Sequence, residues 1–249
     1  MPGGTLLPPA QFVTAAERAG LSSSLTRRML GIALAELRGW RASGHDVFVC
    51  VNTAVADLLD TSFPAEVAEA LLTHHLPADA LVLQVTETSI MSNPERAGQV
   101  LRRLREFGVQ VALDDFGTGY SSLTHPRTLS LEQIKIDRSF VGGMCDQPAD
   151  AAIVYATVEL AHKLGLRVVA EGVEDRQTWQ ALRDLGCEAV QGFALARPLP
   201  AAEFRREVLE AAASPDPDAV PDSGQVGAQG RRLLKQPTKD RLQPDPSPS

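Results

Sequence analysis

At 249 residues with 44% hydrophobic content, the chain is long enough for one large α/β domain or two small ones and can fill a core. The net charge of -7 sits entirely in residues 1–213, because the last 36 residues, from Ser214, balance five Asp against five Arg or Lys; an acidic body lacks the basic stripe of a duplex-binding protein. No apolar run approaches the ~18–20 residues that cross a bilayer, and Cys50, Cys145 and Cys187 are too scattered, and odd in number, for a disulfide framework or a zinc pattern.

Taken in chain order, the sequence opens on "MPGGTLLPPAQF", which leads into a helix and carries no basic segment followed by an apolar one, so no signal peptide is expected. Helical periodicity then covers 24–43, followed by a strand-like "VFVCVN" (47–52), a helix over 64–75, "LVLQVTE" (81–87), a helix over 94–107 and "VQVALDD" (109–115). "EQIKID" (132–137), a helix over 148–164, "LRVVAEG" (166–172), a helix over 175–185, "EAVQGFA" (188–194) and a last helix over 201–212 complete the pattern. "REFG", "HKLG" and "RDLG" place a glycine where a left-handed helix cap belongs. Residues 214–249, with seven prolines, are expected to form a disordered tail behind a domain of residues 1–213; "RRLLK" is its only contact-like segment. A cytoplasmic protein with buried thiols is expected.

Alternating strands and helices imply parallel pairing and right-handed crossovers, hence a β/α barrel or a doubly wound sheet. Almost every strand ends in a polar residue: Asn52, Gln84 and Glu87, Asp114 and Asp115, Lys135 and Asp137, Glu171, Gln191. Polar ends on six successive strands favour the barrel, where all carboxyl ends face one centre. A closed eight-stranded barrel would need two more strands on the amino-terminal side.

Convergence of Asp114, Asp115, Glu171 and Asn52 at one barrel mouth would bring together three carboxylates that repel unless a cation lies between them. An all-oxygen set without His or Cys suits Mg2+ or Mn2+ rather than Zn2+, and paired carboxylates suit a two-metal arrangement for phosphodiester hydrolysis. Plainer roles are open to each residue alone. Asp114 and Asp115 could be helix caps, Gly117 and Gly119 turn residues, Lys135 and Asp137 an ion pair, Glu171 a cap, and His74 and His75 surface residues without a role.

"LDDFGTGYSSL", "IKIDRSFV", "VVAEGVED" and "QGFALARPLP", in this order, resemble the EAL family of cyclic-di-GMP phosphodiesterases. The resemblance runs from about Leu6 to Phe204. It implies a modified β/α barrel that uses two Mg2+ or Mn2+ ions to open cyclic-di-GMP to linear pGpG. Residue by residue, it implies metal binding by Asn52, Asp114, Asp115 and Glu171, and catalytic roles for Lys135 and Glu171. It also implies a substrate contact by Gln191 and anchoring by Glu87 of the Gly-rich loop, which consists of Phe116, Gly117, Thr118, Gly119 and Tyr120 and often helps such domains dimerise.

Three departures qualify the resemblance. The Glu-Ala-Leu motif that names the family is absent, together with the arginine that follows it, so an incomplete barrel of six strands is expected, with the first two missing. The family's Glu-x-Thr-Glu reads "QVTE", so Gln84 replaces a metal-ligand glutamate. Pro126 falls where the family has a short helix, at a cost of about 3 kcal/mol for an interior proline. With Asp114, Asp115 and Glu171 in place of five carboxylates, weak or single-ion binding is expected. The chain therefore reads as a degenerate nucleotide-binding or protein-interaction module of cyclic-di-GMP signalling with impaired hydrolysis. The alternatives are an active phosphodiesterase when completed by an upstream segment or partner, and a fragment that does not fold alone.

Overall fold

The computed structural model describes residues 9–117 and 131–210. In chain order its elements are α1 (Pro9–Arg18), α2 (Ser22–Ala42), β1 (Val49–Asn52), α3 (Val55–Leu59), α4 (Phe63–Thr73), β2 (Leu81–Thr86), α5 (Glu87–Met91), α6 (Pro94–Glu106) and β3 (Gln110–Phe116). Then come β4 (Gln133–Ile136), α7 (Arg138–Val141), α8 (Pro148–Lys163), β5 (Arg167–Glu171), α9 (Arg176–Asp184), β6 (Ala189–Gln191) and α10 (Ala201–Phe204), which runs on into a wide π-type turn at Arg205–Glu210.

The six strands pair in parallel in the order 1-2-3-4-5-6. A doubly wound sheet would reverse direction at a switch point; sequential order instead gives a curled half-barrel, as the polar strand ends suggested. The sheet's two faces differ sharply. Leu81, Leu83, Val85, Val111, Leu113, Ile134, Ile136, Val168, Ala170 and Val190 are buried on the convex side. They share one apolar cluster with Leu34 and Leu37 of α2, Val67 and Leu71 of α4, Val100 and Leu104 of α6, and Val154 and Val158 of α8. The alternate positions, including Asn52, Gln84, Gln110, Gln133, Lys135, Arg167, Glu171 and Gln191, turn to the concave side. The core is thus helix against sheet, and the polar strand residues gather on the inside of the half-barrel beside Val82, Ala112 and Val169.

The helices follow from local chemistry. In α6, Pro94 takes the first turn, the Asn93 side chain accepts the Arg96 N–H at 3.1 Å, and Ala97, Val100, Leu101 and Leu104 form the buried stripe. Gly108, at φ 85°, ends it in the left-handed region, as Gly165 and Gly186 do behind α8 and α9.

Several expectations are corrected. Apart from β3, which is shifted by one residue, the strands are shorter than their apolar runs, and Glu87 opens α5 instead of ending β2, because the Thr86 side chain caps that helix by accepting the Ser89 N–H at 3.2 Å. The helix expected over 201–212 is α10 followed by the π-type turn, over the residues described. Helices α3, α5 and α7 were not foreseen. Cys50 is exposed on the concave face, and Cys145 and Cys187 are half-buried, so the thiols are not uniformly buried. The expected tail, residues 214–249, lies outside the described residues. Among those described, no helix is long and apolar enough to cross a membrane.

Candidate metal centre

Adjacent residues on a strand face opposite sides, so Asp114 and Asp115 cannot both line one cavity in a regular strand. The structure solves this with a break in β3: its register against β4 shifts between Leu113 and Phe116, and Asp115 adopts φ 54°. That left-handed conformation is uncommon outside glycine, and aspartate is among the residues that tolerate it. The Asp114 carboxylate accepts the Asp115 N–H at 3.2 Å and steadies the turn. Behind it, Gly117 lies at φ 98°, and an added Cβ there would meet the Phe140 ring at 3.1 Å.

The result brings carboxylates of two strands together. One oxygen from each of Asp114, Asp115 and Glu171 lies within 4.8 Å of the others. Lys135 of β4 stands between β3 and β5, with its ammonium 3.0 Å from Asp114 and in close ion-pair contact with Glu171. Its side chain is 5% exposed. Burial opposes the ammonium's charge, but the Asp114 and Glu171 carboxylates outweigh it and hold the Lys135 pKa above its ordinary value. Burial raises the pKa of Glu171 despite Lys135, and burial together with the Asp114 and Asp137 charges raises that of Asp115. Both shifts arise chiefly from burial.

Gln84 is the neighbour of Asn52 on one side and Ala112 on the other, on the same face as Asp114. It is only 9% exposed, and its side-chain amide has no hydrogen bond among the described residues. A buried amide without a partner costs about 1–3 kcal/mol, so this is where a ligand would be welcome. Its backbone carbonyl accepts both the N–H of Thr53 at 2.9 Å and the Thr53 hydroxyl at 2.7 Å, which ties the end of β1, and with it Asn52, to β2. Thr53 went unnoticed in the sequence; an Asn-Thr pair at the carboxyl end of a strand is the only signal it offers.

Each remaining candidate has a definite place. Asn52 and Gln191 are exposed at the ends of the two edge strands, and Gln191 pairs in register with Glu171. The Lys135–Asp137 ion pair does not form. Asp137 instead caps α7 by accepting the Ser139 N–H at 2.9 Å and the Ser139 hydroxyl at 2.5 Å. Glu171 is no helix cap either, since Asp175 caps α9 through the Thr178 N–H at 2.8 Å. Glu87 opens α5 at the rim. Thr118, Gly119 and Tyr120 of the Gly-rich loop, and Pro126, lie outside the described residues.

The three clustered carboxylates are all-oxygen donors of the kind that hard divalent cations take, with Gln84 and Asn52 offering further oxygens on the same sheet face, so these residues fit a Mg2+-type ion. Comparison with known proteins agrees with this geometry. The EAL domain family model matches residues 1–198. The chain is 42% identical over 214 residues to the cyclic di-GMP phosphodiesterase NbdA of Pseudomonas aeruginosa, covering 84% of this chain and 27% of that protein. Among solved structures it resembles the MucR phosphodiesterase of the same organism in its c-di-GMP complex, at 38% identity and TM-score 0.78, covering 82% of this chain and 83% of the other. It also resembles the Pseudomonas aeruginosa FimX EAL domain bound to c-di-GMP, at 27% identity and TM-score 0.72, covering 79% of each. Against the curated relatives it matches, the chain spans between 26% and 35% of their length. With the motifs, the fold and the family model in agreement over most of its described residues, the chain belongs to the EAL domain family.

Proposed function

We propose that this chain is a cyclic-di-GMP-binding EAL domain whose hydrolytic activity is impaired or absent. In this reading Asp114, Asp115 and Glu171 hold a single divalent cation, Mg2+ or Mn2+, with help from Asn52 and the Gln84 carbonyl. Gln191 contacts the nucleotide, and Glu87 anchors the loop of residues 116–120, through which two copies pair. The domain extends over residues 1–213, and the protein works in the cytoplasm.

The observation that carries the reading is the charge of the cradle. Three clustered carboxylates lie beside one buried ammonium, and Gln84, where the family resemblance implies a fourth carboxylate, supplies only a neutral amide without a hydrogen bond among the described residues. A divalent cation bound there would polarise a phosphoryl oxygen and lower the pKa of a bound water. The chain's own groups set how well that works. Gln84 contributes a carbonyl dipole but no charge, Lys135 keeps its proton and neutralises part of the carboxylate field, and the remaining negative charge opposes a dianionic ligand in the absence of metal.

The test is calorimetric titration of the protein with cyclic-di-GMP in Mn2+ and in EDTA, alongside chromatographic detection of the linear dinucleotide. Binding in Mn2+ with little or no product supports the reading. Product formation at ordinary enzymatic rates refutes it, and so does the absence of binding. A second reading, an active phosphodiesterase when completed by an upstream segment or a partner, is favoured by the two open edges of the sheet at β1 and β6. It requires that a longer version of the protein be active and that Gln84→Glu raise that activity.

A further inference from the structure

Resting on the reading that the cradle accepts a divalent cation, we infer that Lys135 is a built-in counter-ion that competes with metal for the Asp114 and Glu171 carboxylates. Lys135 lies on β4, and its two partners lie on the strands to either side, β3 and β5. The ammonium is thus centred between carboxylates that would otherwise face each other unscreened. Its side chain is 5% exposed, so water cannot take over its role. The ammonium spends two of its three N–H donors on two of the carboxylates that a cation would ligate. Asp115 completes the carboxylate cluster, and Gln84, 9% exposed on the same sheet face as Asp114, has no side-chain hydrogen bond among the described residues.

Two consequences follow. The metal-free cradle stays assembled because one carboxylate pair already has its cation, and an incoming ion gains only what remains after the ammonium has been pushed aside. Sites with four or five carboxylates afford both cations at once; here the ammonium and the ion divide three. Replacing Lys135 with an apolar residue of similar length, Lys135→Met, should therefore tighten metal binding while loosening the metal-free fold, the opposite of what loss of a ligand would do.

The experiment is calorimetric titration with MnCl2 of the wild-type protein, Lys135→Met, Lys135→Gln and Gln84→Glu, with thermal unfolding of each in EDTA and in Mn2+. Removing one unit charge a few ångströms from the ion is expected to tighten Mn2+ binding by about tenfold or more in both Lys135 variants. Mn2+ should also raise their unfolding temperatures further than it raises that of the wild type. The second, neutral polar variant keeps the test open if Lys135→Met does not fold in EDTA; folding that returns on addition of Mn2+ is itself a supporting result. Equal or weaker Mn2+ binding by folded Lys135 variants, where the wild type binds, overturns the inference and leaves the proposed function standing. Failure of the wild type, Gln84→Glu and both Lys135 variants to bind Mn2+ overturns both.

Discussion

Arg27 of α2 is predicted to be among the most costly single side chains to remove. Its guanidinium meets Asp57 at 3.2 Å, Asp60 at 3.1 Å and Glu66 at 2.7 Å, and lies 5.9 Å from the centre of the Phe63 ring. The three ion pairs are unequal. Asp60 and Glu66 are 38% and 41% exposed and Arg27 itself 37%, so those contacts are worth about 0.5 kcal/mol each, and the ring contact about as much. Asp57 is 0% exposed, and among the described residues the only other hydrogen bond to its carboxylate is the Ala54 N–H at 2.9 Å; stranding such a charge costs about 3 kcal/mol. Arg27→Met should therefore lose about 4.5 kcal/mol. With an m-value of about 2 kcal/mol/M, that lowers the urea midpoint by about 2 M without changing m. Because most of the loss is a stranded charge, Arg27→Met/Asp57→Asn should recover more than half of it, measured by equilibrium urea unfolding followed by circular dichroism. A midpoint shift below about 0.5 M, or a double variant no more stable than the single one, would show that the hub is held by packing instead.

Two further perturbations test other parts of the fold. A Cβ on Gly192 would lie 2.1 Å from the Val173 carbonyl oxygen and 2.4 Å from its nitrogen; both are backbone atoms that cannot step aside. Gly192→Ala should cost more than about 3 kcal/mol, whereas Gly31→Ala, on an exposed helical position with nothing within 4 Å, should stabilise by about 0.5–1 kcal/mol, both read as thermal midpoints. Glu132 accepts the Val111 N–H at 2.7 Å, yet burial raises its pKa above the ordinary 4.5, against that hydrogen bond and the Arg105 and Arg167 charges. A carboxyl raised on folding contributes stability in full below its unfolded pKa and loses it as pH rises through the folded value. Glu132→Gln should accordingly reduce the fall in stability between pH 4.5 and neutrality. An unchanged pH profile in urea unfolding would contradict this.

Much of the fold was legible because it depends on periodicity and punctuation. Apolar runs located all six strands, and glycines after α6, α8 and α9 located helix ends, since both features act within a few residues. Short helices escaped: α3, α5 and α7 have four or five residues, less than two turns, too few to display a 3.6-residue period. At the site, residue types revealed the carboxylates but not their partners. Lys135 passes over Asp137, two residues away, because that carboxylate caps α7; it pairs across strands instead. The Arg27 hub, built from residues 30 to 39 positions distant, leaves no local trace. The break that turns Asp115 toward Asp114 was likewise hidden, because "LDDF" reads as an ordinary strand end until the register is known.

The strand order 1-2-3-4-5-6 also bears on how the molecule is made. Among the described residues, each strand from β2 onward pairs with the one before it in the chain, so none of these pairings waits for a distant segment to arrive. Each pairing closes a loop of only one helical unit, which keeps the entropic toll of each step small and the contact order low for a parallel sheet. The sheet can thus grow outward from β1 in the direction of synthesis, at ~5–20 residues per second. Its last edge, β6, is only three residues long, a template too short to recruit strands from neighbouring chains readily.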